Sequence, residues 1–221
     1  MNILRAVLAK DLLSEWRSRD RLPAMLVFAL LTVVVLRFAQ PGGSLGGDPA
    51  QAPGLLWVAY VFAAVLGMNR AFALELENDA LAGLALAPVD RGWIFLGKAA
   101  SNLLLLVIAQ ITTAVFFSVL FGVDLAGVAL PFLGIAFLGA VGLTAAGTLF
   151  AGISVRTRYR EVMLPLLLFP LLVPLLVGAV QATAGLLADG RADPGALQLL
   201  CVYDAVFLIA SFLLFEYVLD E

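Results

Sequence analysis

The chain has 221 residues, of which 63% are hydrophobic and 13% are charged, and its formal net charge is −3 at pH 7. A soluble domain of this size cannot bury so much apolar surface, so most of the chain is expected to have lipid as its solvent. The single cysteine, Cys201, excludes an internal disulfide and a cysteine metal cluster, and the lack of histidine removes the commonest general base and metal ligand.

The first twenty residues predict an amphipathic helix that lies in the membrane interface and does not cross the membrane. Apolar residues recur at every fourth position in one row: Leu4, Leu8, Leu12 and Trp16. Polar residues form the neighbouring row: Asp11, Glu15 and Arg19. We expect Trp16 at headgroup depth and Pro23 to separate this helix from the first span. The candidate interfacial residues are Asp11, Glu15, Trp16 and Arg17.

Six longer apolar runs follow. A hydrocarbon core about 30 Å thick needs about 20 apolar residues per helix. Runs of this kind occupy 22–39, 54–73, 93–121, 128–153, 162–187 and 196–219. The connections between them are short and carry charges or turn residues, so no soluble domain fits there. The sequence therefore predicts an all-α polytopic membrane protein, with one transmembrane domain over 1–221 and an interfacial helix at 1–20.

Lysine and arginine indicate the orientation of these spans, because cytoplasmic connections carry an excess of both. Eleven of the thirteen fall on one side: Arg5, Lys10, Arg17, Arg19, Arg21, Arg70, Arg91, Lys98, Arg156, Arg158 and Arg160. The other side has only Arg37 and Arg191. Both termini are therefore predicted to be cytoplasmic.

Gly92, Gly97 and Lys98 have the spacing of a phosphate-binding loop. Such a loop follows a strand and ends in Ser or Thr, which binds Mg²⁺. Here Ala99 holds that position, and the intervening residues WIFL lead into a long apolar run. The pattern therefore favours the start of a helix over a nucleotide site.

The connection between the second and third spans contains a short acidic segment, residues 74–86. Its apolar positions share one helical face, and Pro88 ends it by removing a backbone donor. A short amphipathic helix with an acidic outer side is suited to a groove on a soluble partner, whereas periodicity alone also allows a solvated loop. The candidate residues are Glu75, Glu77, Asp79, Leu81 and Leu84.

Three ionisable residues lie within or near the spans. Charged groups at membrane depth are costly, so each needs a reason. Asp204 in the sixth span is either a functional group, for subunit contact or a polar path, or a buried structural residue. Arg70 and Lys98 lie near cytoplasmic ends of their spans, from which they can reach the interface.

Several stretches resemble the CcmB family, heme exporter protein B, an ABC-2-type permease subunit of the cytochrome c maturation system. They are "KDLLSEWRSRD" (10–20), "PGLLWVAYVFAAVLGMNRAF" (53–72), the Leu-rich approach to Pro88 and "LGKAASN" (96–102). The resemblance implies a non-catalytic subunit in the cell inner membrane, with ATP bound by a separate soluble CcmA-like ATPase. Glu75, Glu77 and Asp79 match the region that contacts this ATPase.

The resemblance also implies CcmC-like and CcmD-like membrane partners, a second copy of the chain and the lipid bilayer, and no nucleic acid. Heme is expected to be handled by the complex, and we expect no cofactor held directly by this chain. Two other functions stay open on the residues alone. One is an ABC-2-type permease for a lipid or drug-like substrate, and the other is a proton-coupled secondary transporter that uses Asp204 and Glu216.

Overall fold

A computed structural model describes residues 2–40, 51–77, 90–154 and 159–220. Over these ranges the regular secondary structure is helical throughout, in seven helices. They are α1 (Asn2–Ser18), α2 (Arg21–Phe38), α3 (Ala52–Glu77), α4 (Arg91–Phe121), α5 (Ala129–Ser154), α6 (Arg160–Asp189) and α7 (Pro194–Asp220).

Six of these helices are long and apolar enough to cross a membrane. The candidate spans are Arg21–Phe38, Ala52–Phe72, Arg91–Phe121, Ala129–Ser154, Val162–Asp189 and Pro194–Val218. The predicted all-α architecture with six spans is confirmed, and every end lies within two residues of its predicted position. The remaining helix, α1, precedes the first span.

The chain turns between α1 and α2 at Arg19. This residue has a φ of 53°, and in the described ranges it is the one non-glycine residue with a positive φ. Its backbone N–H still donates to the carbonyl of Glu15, at 2.8 Å. Pro23, which the sequence suggested as the break, is instead the third residue of α2, where its nitrogen has no helical partner to lose.

Consecutive spans run in opposite directions, so the helix termini gather at two ends of the bundle. At one end, which we call the α1 end, α1 packs against the beginning of α4. The beginning of α4 also meets the end of α7, since Gly92 faces the ring of Phe212. At the opposite end, the guanidinium of Arg37 in α2 donates to the carbonyl of Leu120 in α4, at 3.1 Å.

α5 packs against four other helices: α3, α4, α6 and α7. Its glycines allow this close packing. A Cβ at Gly139 would overlap the ring of Trp57, and one at Gly147 would overlap the sulfur of Met68. Gly134 is different, because a Cβ there would meet nothing within 4 Å.

Candidate functional site

The beginning of α4 carries the residues that have phosphate-loop spacing. The structure confirms that they start a helix, since α4 begins at Arg91 and includes Gly92, Gly97 and Lys98. The carboxylate of Asp90 caps this helix by accepting from the backbone N–H of Gly92, at 3.1 Å. The backbone of this segment is therefore used for helix formation.

Gly97 is a point of close contact between α1 and α4. A Cβ at this position would lie 2.8 Å from the Cβ of Val7 and 3.3 Å from the carbonyl oxygen of Leu4. Real Cβ atoms are almost never found so close to other atoms, so only glycine fits without movement of α1. The glycine therefore serves helix packing.

A buried ion pair fastens α1 to α4 next to this contact. Lys98 is 3% exposed, and its Nζ lies 3.9 Å from Oδ2 of Asp11. The hydroxyl of Ser101 donates to the same oxygen, at 2.9 Å. The Lys98 ammonium also lies 4.8 Å from the ring centroid of Phe72, which belongs to α3. Lys98 thus does not reach out to solvent, and it joins α1, α3 and α4.

The surroundings of Asp11 decide its charge state. Burial raises the pKa of this carboxyl. The positive charges of Lys98 and Lys10 and the hydrogen bonds from Lys10 and Ser101 lower the pKa, and together they outweigh the effect of burial. The net result is a pKa of Asp11 below its ordinary value. Asp11 is therefore ionised at neutral pH and balances the buried charge of Lys98.

Glu15 performs a different task, since it caps the first span. Its carboxylate accepts from the backbone N–H of Leu22, at 2.9 Å, and from that of Arg21, at 3.3 Å. A carboxylate at a helix N-terminus satisfies free amides and is favoured by the helix dipole. The nominal cap, Asp20, makes no side-chain capping bond. The helix pattern could not reveal this role, because Glu15 acts across the turn.

A set of hydrogen-bonded polar side chains crosses the bundle near the ion pair. The guanidinium of Arg21 donates to the amide oxygen of Asn102, and the Asn102 nitrogen donates to the hydroxyl of Thr148, at 2.9 Å. All three residues are buried. They link α2, α4 and α5. Sequence analysis used Arg21 only as one of the basic residues that indicate orientation, and it gave no role to Asn102 or Thr148, which are polar residues within long apolar runs.

The end of α3 leads toward the predicted ATPase-coupling segment. α3 continues to Glu77, five residues beyond the end of its candidate span at Phe72, so Glu75 and Glu77 belong to this helix. Asp79, Leu81 and Leu84 lie outside the described residues. Arg70 is exposed, and its guanidinium donates to the backbone carbonyl of Asp20, at 3.3 Å. The α1–α2 turn and the end of α3 are thus in contact.

Asp204 lies far from this end, in the interior of the bundle. It is ten residues from the start of α7, which is about 15 Å along the helix axis. The residue is 5% exposed, and neither carboxylate oxygen has a hydrogen-bond partner among the described residues. It packs against Gly142 of α5, where a Cβ would meet the carboxylate. This burial favours an interior role over contact with another subunit.

The unpartnered carboxylate predicts the effect of Asp204→Asn. A buried polar group without a partner costs about 1–3 kcal/mol, and a charged one costs more. We therefore expect Asp204→Asn, which keeps the shape and the polar group but cannot carry a charge, to raise the free energy of unfolding. The exposed change Asp189→Asn is the control and should stay within about 0.5 kcal/mol of wild type. Destabilisation by Asp204→Asn in a denaturant titration would contradict this account.

An apolar groove of about 330 Å³ lies between α4 and α5 toward the opposite end. Its one hydroxyl-bearing lining residue, Ser118, already donates to the carbonyl of Val123. No charged side chain lines this groove in the described part of the chain. It offers little to orient a polar ligand, so the α1 end remains the candidate site.

The chain that forms the α1 end is similar to known proteins over most of its length. Residues 2–216 match the protein family described as "CcmB protein". Heme exporter protein B of Rhodobacter capsulatus is 31% identical over 191 residues, which cover 86% of this chain and 85% of that protein. Its counterpart in Paracoccus denitrificans is 31% identical over 180 residues, which cover 81% of each chain. Heme exporter protein B of Pseudomonas aeruginosa is 25% identical over 199 residues, which cover 86% of each chain.

Proposed function

The chain belongs to the CcmB family, and from this premise we propose that it is the membrane subunit of an ATP-driven ABC complex for cytochrome c maturation. The complex delivers heme, or releases the heme-loaded carrier protein. The observation that carries this proposal is the family match over residues 2–216, together with relatives named heme exporter protein B. Heme is the cargo of the complex.

ATP hydrolysis belongs to a separate soluble subunit, a CcmA-like ATPase, and this chain is not itself an enzyme. The position of Gly92 to Lys98 inside α4 supports this division, because most of the amides of this segment are bonded within the helix and cannot wrap around a phosphate as a loop does. The work of the ATPase must then reach the spans through a physical contact.

The end of α3 and the acidic segment that follows it provide this contact. Phe72 near the end of α3 lies under the Lys98 ammonium, and Lys98 pairs with Asp11 of α1. A displacement of the α3 end therefore acts on α4 and α1 together. Packed helices respond to such a push by moving as units, which is how small shifts are passed across a bundle.

The chain is a multi-pass membrane protein, and its proposed location is the cell inner membrane. Its proposed partners are CcmC-like and CcmD-like subunits and a second copy of itself. The distribution of basic residues supports a cytoplasmic position of the α1 end, where a soluble ATPase can reach it.

This orientation predicts the outcome of topology tagging. Reporter tags at residues 1, 80 and 221 should report cytoplasm, and tags near residues 46 and 192 should report the outside. The physical reason is that the α1 end carries Arg70, Arg91 and Lys98, whereas the opposite end carries Arg37 and Arg191. Protease cleavage next to Arg158 from the outer side would overturn the assignment.

Complementation tests the proposed function. A strain that lacks this gene should lose covalent heme in its c-type cytochromes, measured by heme staining, and the wild-type gene should restore it. A strain that lacks the gene but keeps normal c-type cytochromes would refute the proposal. It would favour an ABC-2-type permease for another substrate, such as a lipid or a drug-like molecule.

A further inference from the structure

In the structure, the acidic and basic side chains of α1 lie on different faces of the helix, which its sequence does not reveal. Its buried and half-buried positions follow helical spacing: Leu4, Val7, Leu8, Asp11, Leu12 and Glu15. Both acidic side chains of α1 thus face the bundle. Asp11 is balanced by Lys98, and Glu15 is used by the amides at the start of α2. Neither carboxylate contributes negative charge to the outward surface.

The outward face of α1 is consequently basic and aromatic. Trp16 is 76% exposed and Leu13 is 59% exposed. With 3.6 residues per turn, these two lie on the outward face, with Arg5 on one side of the pair and Arg17 on the other. Arg19 is exposed beyond the end of α1, and its guanidinium lies 6.0 Å from the Trp16 ring centroid.

The balance of exposed charge over residues 4–20 is strongly positive. Four basic side chains are exposed: Arg5, Lys10, Arg17 and Arg19. In the same range the one exposed acidic residue is Asp20. An anionic surface is therefore the complementary partner.

The position of α1 along the bundle axis indicates which anionic surface its outward face contacts. α1 packs against Gly97, six residues after the start of α4, which is about 9 Å along its axis. α1 therefore lies beside the first turns of a span, level with the membrane boundary.

Exposed aromatic residues mark the same level. Of the seven Trp and Tyr residues in the chain, four are exposed, and all four belong to the α1 end: Trp16, Trp93, Tyr159 and Tyr217. Trp and Tyr concentrate at headgroup depth, because their rings are apolar and their tips are polar. The outward face of α1 thus lies at the depth of the lipid headgroups.

We propose that the outward face of α1 is a binding surface for anionic phospholipids of the bilayer. Trp16 and Leu13 enter the interface, while Arg5, Arg17 and Arg19 contact the phosphate groups. The surface holds α1 in the membrane boundary while the Asp11–Lys98 pair holds it to the bundle. This inference does not depend on heme as the cargo.

Quenching of Trp16 fluorescence by brominated lipids tests the proposal. The full chain is reconstituted in phosphatidylcholine bilayers with equal fractions of brominated phosphatidylglycerol or brominated phosphatidylcholine. The Trp16 signal is the difference between wild type and Trp16→Phe, which removes the contributions of Trp57 and Trp93. We expect brominated phosphatidylglycerol to quench Trp16 more strongly than brominated phosphatidylcholine does.

Charge removal then tests the basic face. Arg5→Gln with Arg17→Gln should lower the preference for phosphatidylglycerol about fivefold or more, since each basic residue near an anionic surface is worth about a factor of five. Arg191→Gln, an exposed position at the opposite end, is the matched control and should leave the preference unchanged. An unchanged thermal midpoint shows that the double variant is folded.

Two results would overturn the proposal. One is equal quenching by the two brominated lipids, or an unchanged preference in the double variant, because the basic face would then not select anionic lipid. The other is the absence of quenching by either lipid, which would place the face against a protein partner.

Discussion

Asp11→Asn is expected to destabilise the protein by about 3–5 kcal/mol, because it removes the carboxylate that pairs with the buried Lys98 ammonium. Lys98 is 3% exposed, so water cannot replace the lost carboxylate. The asparagine keeps the shape and still accepts from Ser101, so the change isolates the charge. The measurement is the free energy of unfolding of the purified full chain from a denaturant titration.

Two further variants separate the ion pair from other effects of the change. Lys98→Met added to Asp11→Asn should recover most of the loss, because it removes the buried charge that Asp11 balanced and keeps an apolar side chain against Phe72. Lys10→Gln removes the other cation that contacts Asp11, at 3.0 Å, but Lys10 is 44% exposed. Its cost should be about 1 kcal/mol or less. Equal losses from Lys10→Gln and Asp11→Asn would contradict the buried pair.

The same pair gives the stability a defined pH dependence. The pKa of Asp11 is lower in the folded protein than its ordinary value of about 3.9. The contribution of ionised Asp11 to the free energy of unfolding is therefore complete when the pH is above the ordinary pKa. This contribution is lost as the pH falls through the pKa of the folded protein. The Asp11→Asn variant should lose less stability than wild type over this acidic range.

Reversing two charges in the acidic segment, Glu75→Lys with Asp79→Lys, is expected to lower ATPase binding sharply. Like charges placed against a partner cost several kcal/mol, and about 1.4 kcal/mol is a factor of ten. The ATPase that co-purifies with the chain should therefore fall at least tenfold, and cytochrome c maturation should fall with it. Glu75→Ala alone should have a weak effect, since a single rim charge is worth about 1 kcal/mol.

The double reversal should leave insertion intact. It adds basic residues at the end of the bundle that is already basic, so it reinforces the predicted orientation. The control is Asp189→Lys, an exposed reversal at the opposite end, which should bind normal amounts of ATPase. Normal ATPase binding by the double variant would show that residues 74–86 are not the coupling element. The 154–161 connection would then be the next candidate.

The spans were predictable from the sequence because hydrophobic length is a local property. Runs such as 93–121 exceed the thickness of the hydrocarbon core and need no tertiary information. The close packing at α5 depends on its glycines, which let neighbouring helices approach. The acidic segment is a different case, because most of it lies outside the described residues and its role stays a prediction.

The interior of the α1 end was less predictable, because its contacts join residues distant in sequence. Asp11 and Lys98 are 87 positions apart, and Arg21 meets Asn102 across 81 positions. Periodicity placed Asp11 and Glu15 beside an apolar row, but it could not show that both carboxylates turn inward. It also grouped Trp16 with the leucines, whereas Trp16 faces outward.

ATP-driven release of the heme-loaded carrier protein tests the central claim most directly. The complex is purified and reconstituted in lipid with this chain, the ATPase, the other maturation subunits and the loaded carrier. ATP should release the carrier only when this chain is present, and an ATPase variant that cannot hydrolyse ATP should fail to release it. Release at the same rate from a complex that lacks this chain would contradict the claim that it transmits the work of ATP hydrolysis.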